Sequence, residues 1–355
     1  MKYQILLLTT IIWITIFSCK NENSISEKHD KDVTQSTIQL NKFPNVKKLS
    51  ELKNTQFIPT LEHNILNDNN LAYCATMLIA WDEVRKKIKL PITISDEHFD
   101  MKLMNKSNSF KNVLKSNEYE VSGMVDEDNI KTRAELNKSL PFELKLQGFK
   151  NKLNFDGVNV SSFGVNGNDS YEQLQQLKIL YFLNDSNFII KLLPKDKEHE
   201  IILFKTSKFF NSIADMTKEI EKLTEIGRIE KENETTMWRY YFSGDDEVVI
   251  PKINFNIETN YTTLEGIKFW ANEHNYQLVE AWQRTAFLLD ESGAEIESEA
   301  EIEVAAAALD KKEYKKPKPK KMIFNQPFLI LLKRQDTKNP YFGLWVNNAE
   351  LMIKE

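Results

Sequence analysis

The sequence predicts an α+β fold of mixed β-sheets with helices around them. Three observations point there. Strand-like and helix-like segments are interleaved irregularly, without the steady βα rhythm of a doubly wound sheet. Residues 177–183, 188–193 and 200–205 are short apolar runs separated by the polar turns 184–186 and 194–197, the pattern of successive strands. The chain also closes on two apolar runs, 328–332 and 341–346, around a polar turn at 335–339, which reads as a buried hairpin. The 41% hydrophobic content is that of a globular body. A net charge of −5 gives no general attraction to nucleic acid, so no nucleic-acid partner is expected.

The first segment reads as processed rather than folded. Lys2 precedes an apolar run, 5–17, shorter than the ~20 residues of a membrane span and typical of a secretory signal. It ends Ile16-Phe17-Ser18-Cys19, which resembles a bacterial lipoprotein box. That resemblance implies a signal peptide over 1–19, a multi-acyl lipid on Cys19 and an exported protein held at the outer membrane or cell surface. Residues 20–41 are polar and Ser/Asn-rich, with too little apolar surface to fold, and read as a flexible tether. Residues 42–355 form the folded body. With Cys19 lipidated, Cys74 is left alone, so no intrachain disulfide is expected and the core alone supplies stability.

Within the body, 70–88 is apolar all round in its first half and charged only after Trp81, which predicts a helix buried at one end with Cys74 in its core. Residues 140–146 alternate Leu140, Phe142, Leu144 and Leu146 with other residues and predict a one-sided strand. Residues 163–169 carry turn chemistry. A helix is expected to begin at Ser212, which can cap the amide of Asp215, and to end at Gly227. Residues 247–257 predict a strand pair or one long bent strand, and 263–273 look helical.

Asp290-Glu291-Ser292-Gly293-Ala294-Glu295 opens a Glu/Ala-rich run after the strand-like 281–289. Phe324-Asn325-Gln326-Pro327-Phe328 through Asn339-Pro340-Tyr341-Phe342 begins and continues the closing hairpin. The second stretch resembles the C-terminal signature of the serpin family, and the first resembles the hinge at the base of the serpin reactive loop. Ile250-Pro251-Lys252 resembles the family's Leu-Pro-Lys strand. The resemblance covers 281–347 most closely. It implies a serpin-like domain over 42–355 with an exposed reactive-centre-like loop at 294–321. It implies a hinge at Glu291, Gly293, Ala294 and Glu295. Family spacing puts the scissile region at Ala307, Ala308 and Leu309, suited to an elastase-like protease. Residues 89–176 are fewer than serpins use for their central helices and first sheet strands, so shortened or missing elements are expected there.

The resemblance also implies a mechanism. A protease cuts the loop, and the freed segment enters a sheet as a new central strand. Insertion requires alternate residues to suit a core. Ala294, Ile296, Ser298, Ala300, Ile302 and Val304 fall on one face, and Glu295, Glu297, Glu299, Glu301 and Glu303 on the other. Ala and Glu also favour helix, so an insertable strand and a solvated acidic helix or linker both remain open readings. Repulsion along the Glu row, of roughly a few tenths of a kcal/mol per neighbour, is expected to slow insertion. A basic tract follows, with Lys311, Lys312, Lys315 and Lys316; it suits a trypsin-like protease, an acidic partner or a solvated extension.

Chemistry is sparse elsewhere. His29, His63, His98, His199 and His274 are scattered, and Glu198-His199-Glu200 reads as a solvated loop without a spaced partner ligand. Asp126-Glu127-Asp128-Asn129 lacks the Gly and distal Glu of a calcium loop. No phosphate loop and no nucleophile elbow appears. The expectation is a monomer without cofactor, metal or enzymatic activity: an inhibitor of a serine or cysteine protease. The alternative is a non-inhibitory surface lipoprotein on the serpin fold that binds a partner through its long loop. An unrelated α+β lipoprotein is the third reading.

Overall fold

Short strands from distant parts of the chain assemble into shared sheets. The computed structural model describes residues 43–65, 68–136, 138–166, 169–295 and 318–354. In chain order the elements begin with β1 (Lys47–Lys48), β2 (Thr55–Ile58), β3 (Asn70–Cys74), helix α1 (Thr76–Ile88), β4 (Ile92–Thr93) and α2 (Phe99–Lys106). There follow β5 (Tyr119–Asp126), β6 (Asn129–Leu136), β7 (Ser139–Pro141), β8 (Gln147–Phe155), β9 (Val158–Asn166) and α3 (Tyr171–Gln175). The middle of the chain supplies β10 (Leu177–Asn184), β11 (Asn187–Leu192), β12 (His199–Lys205) and α4 (Ile213–Lys231). The last part holds β13 (Glu247–Pro251), β14 (Ile253–Asn260), β15 (Lys268–Ala271), β16 (His274–Asp290), β17 (Gly293–Glu295), β18 (Lys321–Ile323), β19 (Phe328–Arg334) and β20 (Phe342–Val346).

Among the described residues these form three sheets, and the α+β expectation is met. A seven-stranded sheet runs β10-β11-β12-β19-β20-β3-β2. The closing hairpin is therefore its centre. That accounts for the unbroken apolar run Phe328–Leu332, buried throughout. A four-stranded sheet runs β18-β13-β9-β8. A larger mixed sheet is built around β16, the longest strand among the described residues. Phe287 of β16 packs on Phe342 of β20 with ring centroids 4.8 Å apart, joining the larger sheet to the seven-stranded one. Helix α1 lies under β5 and β6, so close that a Cβ on Gly123 would sit 2.6 Å from the carbonyl oxygen of Ala80.

Several expectations are corrected. Residues 70–88 are strand β3 followed by helix α1, not one helix. Residues 70–74 are wholly buried and pair with β2 and β20, and a short run apolar on every side looks alike in a central strand and a buried helix. Cys74 is a core residue, as expected, but on the strand. Residues 163–166 continue strand β9 instead of turning. Gly164 is there because a Cβ would stand 1.9 Å from the Val248 carbonyl oxygen.

Residues 263–273 are turns and strand β15, whose buried Phe269 and Ala271 alternate with exposed Lys268 and Trp270. The 140–146 strand is shorter than expected. Only Ser139–Pro141 is strand, although Leu140, Phe142 and Leu146 are all buried. Residues 247–257 form two strands in different sheets, with Lys252 between them. Region 89–176 holds helices of eight and five residues and is otherwise mainly strand.

Helix α4 starts as expected, Ser212 Oγ accepting from the Asp215 amide at 3.1 Å. It passes through Gly227 instead of ending there. A Cβ at 227 would meet the Leu180 carbonyl oxygen of β10 at 1.9 Å, so the glycine allows the helix to lie on the sheet edge. Gly227→Ala should therefore destabilise by about 1–3 kcal/mol in urea unfolding, against a near-neutral Lys222→Ala on the exposed side of the same helix. Equal effects would contradict this account.

Candidate functional site

Strand β16 has two hydrogen-bonding edges, and they differ. One edge carries β14 and then β15, both antiparallel. The other carries β6 over residues 277–284, in parallel, and β17 over residues 288–290, antiparallel. Between these two, residues 285–287 have no strand partner on that edge among the described residues. The predicted hinge thus begins a strand of its own beside β16.

Strand β17 is also paired on its far side. Gly293 lies between Asp290 and Pro141, Ala294 between Leu289 and Leu140, and the Glu295 backbone between Leu288 and Ser139. The hinge is therefore a wedge between β16 and β7. Gly293 permits it: its φ is +131°, and a Cβ would stand 2.4 Å from the Leu140 carbonyl oxygen and 2.7 Å from Pro141 Cα. The Phe142 amide donates to Ser292 O and the Leu146 amide to Glu291 O, both at 2.8 Å.

The hinge acids are placed differently. Glu291 pairs with Lys252 Nζ at 2.6 Å. Burial would push the Glu291 carboxyl up, but the hydrogen bond and charge of Lys252, helped by the backbone and Lys145, hold it below the usual carboxylate range. Burial dominates at Asp290 and raises it, although the Ser292 amide donates to its carboxylate at 2.7 Å.

Below the wedge the two parallel strands close on each other, Arg284 facing Glu135, Gln283 facing Ala134, Trp282 facing Arg133 and Ala281 facing Thr132. The inner face, with Ala281, Gln283, Thr285, Thr132 and Ala134, is buried. Gln283 donates to Thr76 Oγ1 at 2.9 Å and accepts from the Tyr261 hydroxyl. It ties the sheet to the start of α1. The Thr285 hydroxyl is buried and has no hydrogen-bond partner among the described residues. The outer face is polar. Arg133 Nε donates to Glu280 at 2.6 Å and its guanidinium lies 5.3 Å from the Trp282 ring. Arg284 Nε donates to Asn256 Oδ1 at 3.1 Å.

Where the described chain resumes at residue 318, a buried ion pair fastens it. Lys320 Nζ lies 2.6 Å from Asp246, and both side chains are 1% exposed. The same ammonium donates to the carbonyls of Tyr241 and Trp238 at 3.0 and 3.3 Å. Strand β18 follows at once and pairs with β13.

Cys19, Ala307, Ala308, Leu309, Lys311, Lys312, Lys315 and Lys316 lie outside the described residues. The histidines are not gathered: His63 meets Asp100 at 3.1 Å and His274 meets Asp128 at 2.7 Å in separate places. His199 corrects the sequence reading, since its side chain is fully buried and not in a solvated loop. Residues 127 and 128 form the β5–β6 turn. Sequence reasoning anticipated β16 and the short β7 but missed β6, the strand that pairs with β16 below the hinge. The alternation of Ile130, Thr132, Ala134 and Leu136 with exposed residues was the signal for β6.

No family model and no curated protein sequence matches the chain. Solved structures similar to it are serpins. The serpin from Schistosoma mansoni matches at 12% identity and TM-score 0.35, covering 62% of this chain and 56% of that one. Manduca sexta serpin-12 matches at 10% identity and TM-score 0.37, covering 84% and 76%. Serpin48 of Tenebrio molitor matches at 12% and 0.33, covering 71% and 65%. This chain thus spans a little over half the length of the first, 56%. Its own strand geometry has to carry its function.

If Gly293 seats the wedge, Gly293→Ala should push β17 off β7. The expected result is faster hydrogen exchange at the Phe142 amide and a stability loss of about 1–3 kcal/mol. Unchanged protection at Phe142 would contradict this role.

Proposed function

We propose that this protein is a serpin-like inhibitor of a serine or cysteine protease that works by inserting its cut loop between β16 and β6. The observation that carries the reading is the agreement of registers around the wedge. If the chain continues past Glu295 in the two registers of β17, residue 299 enters between Arg284 and Glu135, and residue 300 between Gln283 and Ala134. Residue 301 enters between Trp282 and Arg133, and residue 302 between Ala281 and Thr132. Each of these is a pair now bonded to itself, so the ladder can open one pair at a time with no slip in register.

The side chains fit the same register. Even-numbered residues from Ala294 to Val304 would face the core. Ser298 would lie opposite Thr285, whose buried hydroxyl has no partner among the described residues, and a Thr–Ser pair across strands is a favourable one. Burying Ile296, Ile302 and Val304 would each contribute about 1.5–3 kcal/mol. The Glu row would face outward, Glu299 beside Arg284, Glu301 beside Arg133 and Glu303 beside Lys131. Glu135 and Glu280 stand on that face too, so the cations offset repulsion without reversing it. Repulsion on the scale of a few tenths of a kcal/mol per pair is small against the burial.

The sequence of events follows. The protease nucleophile displaces the amine of the bond it attacks and holds the new C-terminus as an ester or thioester. The freed segment, still joined at Gly293, then zips down the slot and carries the protease with it. The candidate bond is at Ala307–Leu309, with the lysine tract as the trypsin-like alternative. The reading includes no catalysis by this chain. It includes a membrane anchor through lipid on Cys19, with 20–41 as tether.

Incubation with elastase-like and trypsin-like proteases tests it. We expect an SDS-stable complex with one of them, and a cut protein that melts about 10 °C or more above the intact one. Ala300→Arg places a guanidinium on the core face and should abolish both while leaving the intact protein's melting temperature unchanged. Clean cleavage with no complex and no rise in melting temperature would sink inhibition and favour a loop that displays a binding site to a partner.

A further inference from the structure

The strand beside the hinge is tied to a buried charge cluster that inhibition itself does not require. Lys138, in the link between β6 and β7, donates to Glu118 Oε1 at 2.7 Å and Asp196 Oδ2 at 3.2 Å. His199 Nε2 approaches the same two oxygens, at 3.1 and 3.6 Å. The His199 side chain is 0% exposed, Glu118 9% and Lys138 13%. His199 Nδ1 and the Tyr341 hydroxyl are both buried with no hydrogen-bond partner among the described residues, and the two rings meet edge-on at 5.5 Å. Arg334, from the end of β19, lies 3.9 Å from Glu118 and 3.1 Å from Glu198, which also takes Lys115 at 2.6 Å.

His199 is therefore faced by Glu118 from the segment before β5, Lys138 from the β6–β7 link, Asp196 from its own turn, Arg334 from β19 and Tyr341 from just before β20. Asp196, Glu198 and His199 lie close enough together to suggest an ion, but Lys138, Lys115 and Arg334 already answer their charge. The cluster is a balance of fixed charges.

It reaches the hinge through backbone bonds. The Lys195 amide donates to Pro141 O at 2.8 Å, and Phe142 pairs with Pro194 in an isolated bridge. On its other side Phe142 donates to Ser292 O. The turn holding Asp196, strand β7 and the hinge thus form one hydrogen-bonded unit.

We propose that this cluster is an acid-sensitive latch on β7. With His199 neutral, Lys138 holds Glu118 and Asp196 and keeps β7 seated against the hinge. With His199 protonated, two cations compete for the same two oxygens, and β7 and β17 loosen together. The latch deepens the insertion reading, on which its consequence for inhibition rests: in acid the upper rim of the slot gives way more readily.

The sign of the histidine's contribution follows from its surroundings. Burial holds His199 below its ordinary 6.5, and Lys138 and Arg334 push the same way against Asp196 and Glu118. The unfolded chain therefore takes the proton more readily than the folded one. The stability that neutral His199 contributes is full above 6.5 and is lost as pH falls through 6.5 toward the depressed folded value. At Glu118 and Asp196 burial pushes upward, but hydrogen bonds and the charges of Lys138 and His199 outweigh it. Both carboxyls are held below their ordinary 4.5 and 3.8.

Hydrogen exchange on the intact full chain, corrected for the intrinsic effect of pH, tests the latch. Protection at the Phe142 and Lys195 amides should fall as pH is lowered from 7 to 5.5, while Leu203 and Ile330 in the seven-stranded sheet stay protected. His199→Gln should remove the step. Lys138→Met should lower protection at every pH and stands as the second variant if His199→Gln does not fold. No step in the wild type, or a step that survives in His199→Gln, would overturn the latch. The readout uses uncut protein, so failure to insert after cleavage would refute the insertion reading and leave the latch intact.

Discussion

The unequal edges of β16 are the constraint on which the rest depends. A β-strand offers two hydrogen-bonding edges, and any unpaired buried stretch costs free energy. One edge of β16 is filled by β14 and β15. The other is divided between β6 below and β17 above, with residues 285–287 unpaired between them. The remaining features serve that division. Gly293 lets the wedge approach β7, Lys252 holds Glu291 beside it, and Lys320 with Asp246 fastens the chain where it returns to the sheets.

The arrangement is held by hydrogen bonds that an inserted strand would replace in kind. Opening the β6 ladder removes one row of bonds and insertion makes two. Apolar burial by the even-numbered residues would then set the direction of the proposed insertion. In the proposed insertion the glutamate row would modulate the rate more than the outcome, because its repulsion is several-fold smaller than the burial. The proposed latch at Lys138 and His199 would act earlier, on how firmly the upper rim is seated.

Much of the fold was legible in the sequence where apolar runs were bounded by polar turns. Strands β10 to β12 and the closing hairpin are of this kind. The start of α4 was legible because capping is local: Ser212 and Asp215 settle it between themselves. Asn70–Cys74 was misread because a central strand and a buried helix share the same apolar pattern. Gly164 and Gly227 were misread as punctuation because the carbonyls that require them, on Val248 and Leu180, belong to strands remote in sequence. At the site, the alternation from Ala294 onward was visible, and so was the Asp290–Glu295 segment in which β17 lies. Strand β6, which pairs with β16 below it, was not, because it comes from the least readable part of the chain and its alternation went unread. His199 looked solvated for a similar reason. Its charged neighbours in sequence suggest water, and only the fold brings Lys138 and Arg334 to neutralise them.

The structure of the protein after cleavage within 296–317 is the most direct test of the insertion account. It predicts residue 300 between Gln283 and Ala134, the Ser298 hydroxyl at the Thr285 hydroxyl, and β16 and β6 moved apart by one strand spacing, about 4.8 Å. A cleaved protein in which Gln283 still pairs with Ala134, and the chain beyond Glu295 lies outside the sheet, would contradict it.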